Sequence, residues 1–298
     1  MSASQVRRIA GREIDFARRV VVMAIVNRTP DSFYDRGATF ALDAAVGAAL
    51  AAYADGADWV DVGGAKFAPG PAIPVEEEIE RVVPVVAQLA GAGGISVDTF
   101  HPDVARAAID AGAHVINDTT GIHDPRMADV VADSDATIVI THSLAAPRTP
   151  HPSPTYGDVV AEVADFLRRR VDLALERGVP AERIIVDPGH DLNKTTAHSL
   201  ELTRRLGEIV ALGHPTLVAL SNKDFIGETL ARERGERVAG SLAAAVWSVT
   251  QGARLVRVHN VRETVDAMRM TEAILGWREP TGPLVHNMPA QAGGEEAE

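Results

Sequence analysis

GISVDTFHPDVARAAIDAGAHVINDT, residues 94–119, decides the fold. Its two ends are short runs rich in Ile and Val that close on polar residues, Asp98 and Thr99 in the first and Asn117 and Asp118 in the second. Between them HPDVARAAIDAG (101–112) has helical character, with Pro102 in the first turn, where a missing N–H costs nothing. Runs this short and this apolar read as strands buried on both faces, as in a parallel sheet. Working outward, the same pattern recurs as VVMAIVN (21–27), WVDVGG (59–64), IVITHS (138–143), IIVDPGH (184–190), LVALSNK (217–223) and LVRVHN (255–260). Stretches of helical character follow most of them, such as ALDAAVGAALAAYADG (41–56) and VEEEIERVVPVVAQLAG (75–91). Eight strand-then-helix units predict an α/β chain folded as one (β/α)8 TIM barrel, which typically takes about 250 residues. In that fold every strand opens its carboxyl end on one mouth. Asn27, Asp98, Asn117, His142, Asp187, Lys223 and His259 should therefore converge on a single pocket.

Composition narrows the possibilities. A chain of 298 residues with 46% hydrophobic content can bury a full core. No cysteine is present, which removes disulfides, thiolate metal sites and thiol catalysis. A formal net charge of −12 argues against broad nucleic-acid binding, because phosphate neutralisation needs a basic surface. The N-terminal arginines (Arg7, Arg8, Arg12, Arg18, Arg19) precede no signal-peptide core, and no run has the length of a membrane span. Cytoplasmic placement is the resulting expectation. Residues 1–19 read as a lead-in compatible with a hairpin under the barrel, 20–279 as the barrel domain, and 280–298 as a disordered tail without periodicity. The proline-rich stretch 144–157 reads as a long loop after the fifth run. In the C-terminal helical segments Met268, Ile274 and Leu275 are the expected packing positions.

Chemistry sits in the segments that follow the runs. They are NRTPDSFYDRG (27–37), DVGG (61–64), SVDT (96–99), NDTTG (117–121), VDPGH (186–190), SNKDFIG (221–227) and RVHN (257–260). Any one has an ordinary explanation: Thr, Pro, Asp and Ser are turn and cap residues, and a buried Asn or His is usually a satisfied core polar group. In this order, each at a strand end, they resemble the dihydropteroate synthase family over residues 20–275. The resemblance implies a pterin-binding barrel in which a dihydropterin-methyl pyrophosphate loses pyrophosphate and the amine of p-aminobenzoate attacks the exposed carbon. It implies that Asp98, Asn117, Asp187 and Lys223 bind the pterin, whose edge alternates donors and acceptors. It further implies Asn27 as a Mg²⁺ ligand, Arg257 and His259 as the pyrophosphate-binding pair, and Asp35 as the carboxylate that stabilises a cationic pterin intermediate. Asp35 and Lys223 are thereby the expected catalytic residues, and a homodimer through the C-terminal helices is the expected assembly.

The departures from the family pattern cluster on one side. Where the family reads Gly-Gly-Glu-Ser-Thr-Arg-Pro-Gly, this chain reads GGAKFAPG, so Lys66, Phe67 and Ala68 stand in the second loop and the threonine and arginine positions are lost. An arginine binds phosphate bidentately, and alanine offers neither donor nor charge. In GHDLNKT (189–195), Leu192 replaces a phenylalanine that packs on the aromatic amine, and Asp191 and Asn193 replace glycines, Asp191 adding negative charge where pyrophosphate should sit. Asn222 replaces the arginine of Ser-Arg-Lys, and Arg28 and Arg36 replace Val and Gly in the first loop.

Because three loops change together, the reading is a synthase-like protein that keeps the pterin half of the site with little or no synthase activity. The alternative is an active transferase that joins the pterin pyrophosphate to p-aminobenzoate or another amine, with Arg28, Arg36 or Lys66 as replacement cations. Pterins, arylamines and sulfa-type molecules are the expected ligands. A metal-dependent hydrolase would want a His-x-His pair after the first run, which instead ends in Asn27. A folate-dependent methyltransferase would not need Arg257 and His259. A non-catalytic binding protein is the serious rival to an enzyme.

Overall fold

A computed structural model describes residues 5–27, 42–64, 70–146, 148–150 and 154–287. Strands β1 (Val6–Ile9) and β2 (Arg12–Asp15) form an antiparallel hairpin whose turn residues, Ala10 and Gly11, both have positive φ. Such a turn matches the right-handed twist of the paired strands.

Eight parallel strands follow: β3 (Val21–Asn27), β4 (Trp59–Gly63), β5 (Gly94–Asp98), β6 (Val115–Asp118), β7 (Thr137–Thr141), β8 (Ile184–Asp187), β9 (Leu217–Val218) and β10 (Leu255–Val258). Their register runs through pairs such as Met23 with Trp59, Asp98 with Asn117, and Arg257 with Met23. A parallel bridge from Val186 to Thr216, with the Val186 amide donating to the Pro215 carbonyl at 3.0 Å, brings β8 to β9 and closes the barrel. Helices connect the strands: α1 (Leu42–Ala54), α2 (Val75–Leu89), α3 (Pro102–Asp110), α4 (Arg126–Ala132), α5 (Val159–Glu176), α6 (Thr196–Arg204), α7 (Leu206–Val210), α8 (Asp224–Leu230), α9 (Val238–Thr250) and α10 (Val261–Ile274).

The alternation of strand side chains divides the core into two layers. Val22, Ala24, Val60, Val62, Val97 and Ile116 point outward and pack under the helices with Val82, Val86 and Leu89 of α2. Val21, Met23, Trp59, Val115, Val139, Ile185, Leu217 and Leu255 point inward and meet Ile9, Ile14 and Phe16 of the hairpin segment. The hairpin therefore plugs the amino-terminal end of the barrel. Fully burying an aliphatic or aromatic side chain of this size contributes about 1.5–3 kcal/mol, so the plug adds to the core as well as covering it.

The run 217–223 forms sheet pairs over Leu217–Val218, and Asn222 further along has a left-handed φ of 59°. One sequence expectation needs correction here. Of the expected packing positions Met268 is buried, but Ile274 is 73% exposed and Leu275 39% exposed. They lie at the end of α10, beyond the turn that packs on the barrel.

Candidate functional site

The same alternation builds the site. Two residues above the inward layer come Ile25, Asp61, Ser96, Asn117, Asp187 and Arg257, which face one another across the barrel axis near its carboxyl end. Most of this layer is polar, and it is held together by hydrogen bonds. Asp61 is fully buried; its Oδ1 accepts the Ser96 hydroxyl at 2.5 Å, and its Oδ2 accepts both Asn117 Nδ2 at 3.1 Å and Arg257 Nε at 2.5 Å. Arg257 Nη2 reaches one layer higher and donates to Asp98 Oδ2 at 2.9 Å. Burial alone would leave both carboxylates costly, and the guanidinium between them offsets that cost.

Charge states follow from these contacts. Burial pushes the Asp98 carboxyl up to about 7; Arg257 works against the shift, while Asp61, Glu78 and Asp118 add to it. Asp187 is also raised by burial, opposed by Lys223, by the Gly189 amide that donates to its Oδ1 at 2.7 Å, and by Lys194 and Arg257. Lys223 is lowered by burial, with Asp191 and Asp187 pulling it back up. Its ammonium donates to the His190 carbonyl. Arg257 is lowered by burial but raised on balance by Asp61 and Asp98.

Above this layer lies a cavity of about 330 Å³ lined by Ile25, Ser221, Lys223, Arg234, Arg257 and His259 together with Asp191, Asn222 and Asp224. His259 takes its place through Ser221, whose hydroxyl accepts the His259 amide at 3.2 Å. The wall thus combines three cationic side chains and an imidazole with two carboxylates. It suits a small polar ligand carrying negative charge.

The residues that depart from the family pattern are built into the fold. Asp191 has a φ of 62° and Asn193 of 52°, left-handed values that Asp and Asn tolerate better than most residues. The Asp191 carboxylate accepts the Ser199 hydroxyl at 2.8 Å and the Phe225 amide at 3.2 Å, tying α6 to α8. Asp191 is therefore anchored by neutral donors beside Lys223 and is not a bare charge at the mouth. Asn193 Oδ1 accepts the Ser143 hydroxyl at 2.9 Å and the amides of Leu144 and Ala145 at 2.9 and 3.0 Å. Leu192 is half-buried; its carbonyl accepts Lys194 Nζ at 3.1 Å. Asn222 donates through Nδ2 to Asn260 Oδ1 at 3.1 Å.

His142 does not join the pocket. It is 1% exposed, packed edge-on to Phe166 with ring centroids 4.8 Å apart, and its Nδ1 lies 2.9 Å from Lys194 Nζ. Burial lowers both partners, Lys194 to about 7 and His142 to about 2, and Lys194 Nζ also donates to the Gly189 and Leu192 carbonyls, so this pair braces the 189–195 turn. Asp35, Arg28, Arg36, Lys66, Phe67 and Ala68 lie outside the described residues, as does the Asn27 side chain; the Asn27 backbone ends β3 opposite Gly63. Sequence reasoning gave no role to Asp61, Ser96 or Arg234. Only Asp61 carried a signal, an inward-facing carboxylate in WVDVGG two residues after Trp59.

This geometry, an eight-stranded barrel with Asp, Asn, Lys, Arg and His gathered at its carboxyl mouth, can be set against known proteins. A family model described as pterin binding enzyme matches residues 23–259. The chain is 47% identical over 271 residues to a Mycobacterium tuberculosis protein named inactive dihydropteroate synthase 2, covering 88% of this chain and 85% of that one. It is 40% identical over 261 residues to the dihydropteroate synthase of Escherichia coli, covering 87% and 93%. Among solved structures, the dihydropteroate synthase of Xanthomonas albilineans with 4-aminobenzoic acid superimposes with a TM-score of 0.83 at 42% identity, covering 92% of this chain and 99% of that one. Fold, strand-end residues and similarity along most of the chain agree, and the chain belongs to the pterin-binding enzyme family as a divergent, dihydropteroate synthase-like member.

Proposed function

We propose that this chain holds a pterin at Asp98, Asn117, Asp187 and Lys223 and has little or no dihydropteroate synthase activity. The observation that carries the reading is the rebuilt segment 189–195. Asp191 lines the cavity and is fastened between Ser199 and Phe225, and Asn193 is fastened to 143–145, so the altered loop is a stable replacement and not a vestige. Synthase chemistry needs donors placed where pyrophosphate departs and a wall that holds the arylamine in line with the methylene carbon. Ala68 and Phe67 remove a cationic and a hydroxyl donor, and Leu192 removes an aromatic wall. The similarity to a protein named inactive supports the same conclusion.

In this reading the buried carboxylates and the Asn117 amide recognise the pterin edge, Lys223 contacts the ring, and Arg257 and His259 meet an anion. Asp35 retains its expected role beside the ring. Among the described residues no group of three or more His, Cys, Asp or Glu could hold a metal alone. Mg²⁺ commonly binds through substrate phosphates with few protein ligands, and here it would arrive with pyrophosphate and use Asn27 as a protein ligand. A homodimer through the C-terminal helices, a cytoplasmic location, arylamine or sulfa-type second ligands, and the partition into lead-in, barrel and tail belong to the same reading. No helix of the described residues is long and apolar enough to cross a membrane.

A second reading, an active transferase that joins pterin pyrophosphate to p-aminobenzoate or another amine, is favoured by one observation. Arg234 lines the same cavity as Lys223 and Arg257 and adds a cation to those carried by Arg28 and Arg36. Calorimetry with a pterin, a pterin pyrophosphate and an arylamine, beside a coupled turnover assay, separates the two. Pterin binding without turnover is the expected result; turnover at the rate of an active family member would overturn the first reading in favour of the second.

A further inference from the structure

The open cavity and the expected pterin-reading groups do not coincide. Lys223, Arg234, Arg257 and His259 line the cavity, whereas Asp98, Asn117 and Asp187 are not among its lining residues. Arg257 lies between the two sets. One edge of its guanidinium is spent on Asp61 and Asp98, at 2.5 and 2.9 Å, while the side chain still forms part of the cavity wall. Asp61 has further anchors in Ser96 and Asn117, and the Arg257 Nε can stay on Asp61 while Nη2 leaves Asp98. Asn117 Oδ1, beside it, is buried and has no hydrogen-bond partner among the described residues. A group with adjacent N–H donors that lay against Asp98 and Asn117 would satisfy that oxygen; a pterin's amino-pyrimidinone edge has this pattern, and so does a guanidinium.

We propose that Arg257 is a latch shared by two ligands. In the free protein its guanidinium takes the place of the pterin edge on Asp98; a pterin that takes over Asp98 releases the guanidinium to a phosphate in the cavity above. The proposal rests on the pterin reading of Asp98 and Asn117 given above. The freed guanidinium can grip a phosphate bidentately, and Lys223, Arg234 and His259 already stand in the same wall. Pterin and phosphate must then bind with positive coupling, and each must raise the other's affinity by the same factor.

Calorimetry on the full chain tests this with unsubstituted pterin and inorganic pyrophosphate, each titrated alone and at saturation of the other. The expected result is pyrophosphate binding about tenfold tighter with pterin present, and the reciprocal gain for pterin. Independent binding, or mutual weakening, overturns the latch. Arg257→Lys keeps a cation but cannot span Asp61 and Asp98, so both ligands should still bind and the coupling should vanish; retained coupling also overturns it. Asp98→Asn tests the latch without any pterin. A neutral amide holds the guanidinium less firmly, so pyrophosphate alone should bind roughly fivefold tighter. Unchanged or weaker binding there counts against the latch. Failure of pterin to bind the unmodified protein at millimolar concentration overturns the functional reading and the shared latch with it, whereas pterin binding without coupling overturns the latch alone.

Discussion

Asp61 Oδ2 and Arg257 Nε, 196 positions apart in the chain, meet at 2.5 Å inside the barrel. Asp61 is fully buried and the Arg257 side chain is 15% exposed at the cavity wall, which makes each the other's counter-ion. Removing one partner of such a pair strands the other and typically costs about 3–5 kcal/mol. Asp61→Ala and Arg257→Ala should each lower stability by that order in urea unfolding. The double variant should cost clearly less than the sum, because it strands neither Asp61 nor Arg257. Additive losses would show that the two side chains do not act as a pair.

How far this pairing could be read from sequence depends on which link is considered. The strands were legible because Val and Ile runs ending in Asp, Asn or His recur at strand-helix spacing, and their alternation also places Asp61, Asn117 and Arg257 on the inward face. Partner choice was not legible. Nothing local in RVHN says that Arg257 turns down to Asp61 and Asp98 and not outward to an anion, since that contact exists only once β10 and β4 flank β3. His142 shows the same limit: a histidine at a strand end looks like a mouth residue until Phe166 and Lys194 enclose it.

Glu78 predicts a pH dependence of stability. Its carboxyl is fully buried in α2 behind Gly64, and neither oxygen has a hydrogen-bond partner among the described residues. Burial raises it from 4.5 to about 7, against the opposing influence of Thr99, Arg81 and Arg148. A folded-state value above the unfolded one means that the folded chain holds the extra proton between these two values. Stability is therefore present at low pH and falls as pH rises through about 7, by on the order of 3 kcal/mol across the window. Asp98, raised to about 7, adds a slope of the same sign. Glu78→Gln should show a shallower loss of melting temperature from pH 5 to pH 8 than the unmodified protein. Equal slopes would exclude Glu78 as a source.

Asn193 serves two purposes that substitution can separate. Its left-handed backbone favours glycine over alanine by about 1 kcal/mol, while its side chain accepts three hydrogen bonds from 143–145. Asn193→Gly should lose only the side-chain clamp, and Asn193→Ala should lose the clamp and suffer the backbone strain as well. The expected order of melting temperature is unmodified, then glycine, then alanine. Glycine at or above the unmodified value would mean the clamp contributes nothing.

Assembly can be tested on the outer face of the last helices. Trp247 is 48% exposed, Met270 61% and Ile274 73%, which is more apolar surface than a helix leaves bare for packing reasons alone. A dimer through α9 and α10 would cover it. Sedimentation at micromolar concentration should find a dimer, and Ile274→Glu together with Met270→Glu should give a monomer with unchanged circular dichroism. A monomeric unmodified protein would leave the face to be explained another way.

The proposed loss of synthase activity has separable sequence causes, and restoring the missing groups should recover rate. Turnover by the unmodified protein should fall below that of an active relative by about 10² or more, the scale of losing one donor aimed at developing charge. Phe67→Thr and Ala68→Arg return a hydroxyl and a guanidinium to the second loop, and Leu192→Phe returns an aromatic wall for the arylamine. Asp191→Gly adds a fourth change: it relaxes a left-handed backbone and withdraws a carboxylate from the neighbourhood of Lys223, at the expense of the Ser199 and Phe225 bonds. The combined variant should gain at least about tenfold in kcat/KM, with Ala68→Arg alone supplying the largest single share because it alone adds charge opposite the departing pyrophosphate. If the four changes together leave turnover at the unmodified level while pterin still binds, the block lies elsewhere in the site. The first loop, where Arg28 and Arg36 stand, would then be the next place to test.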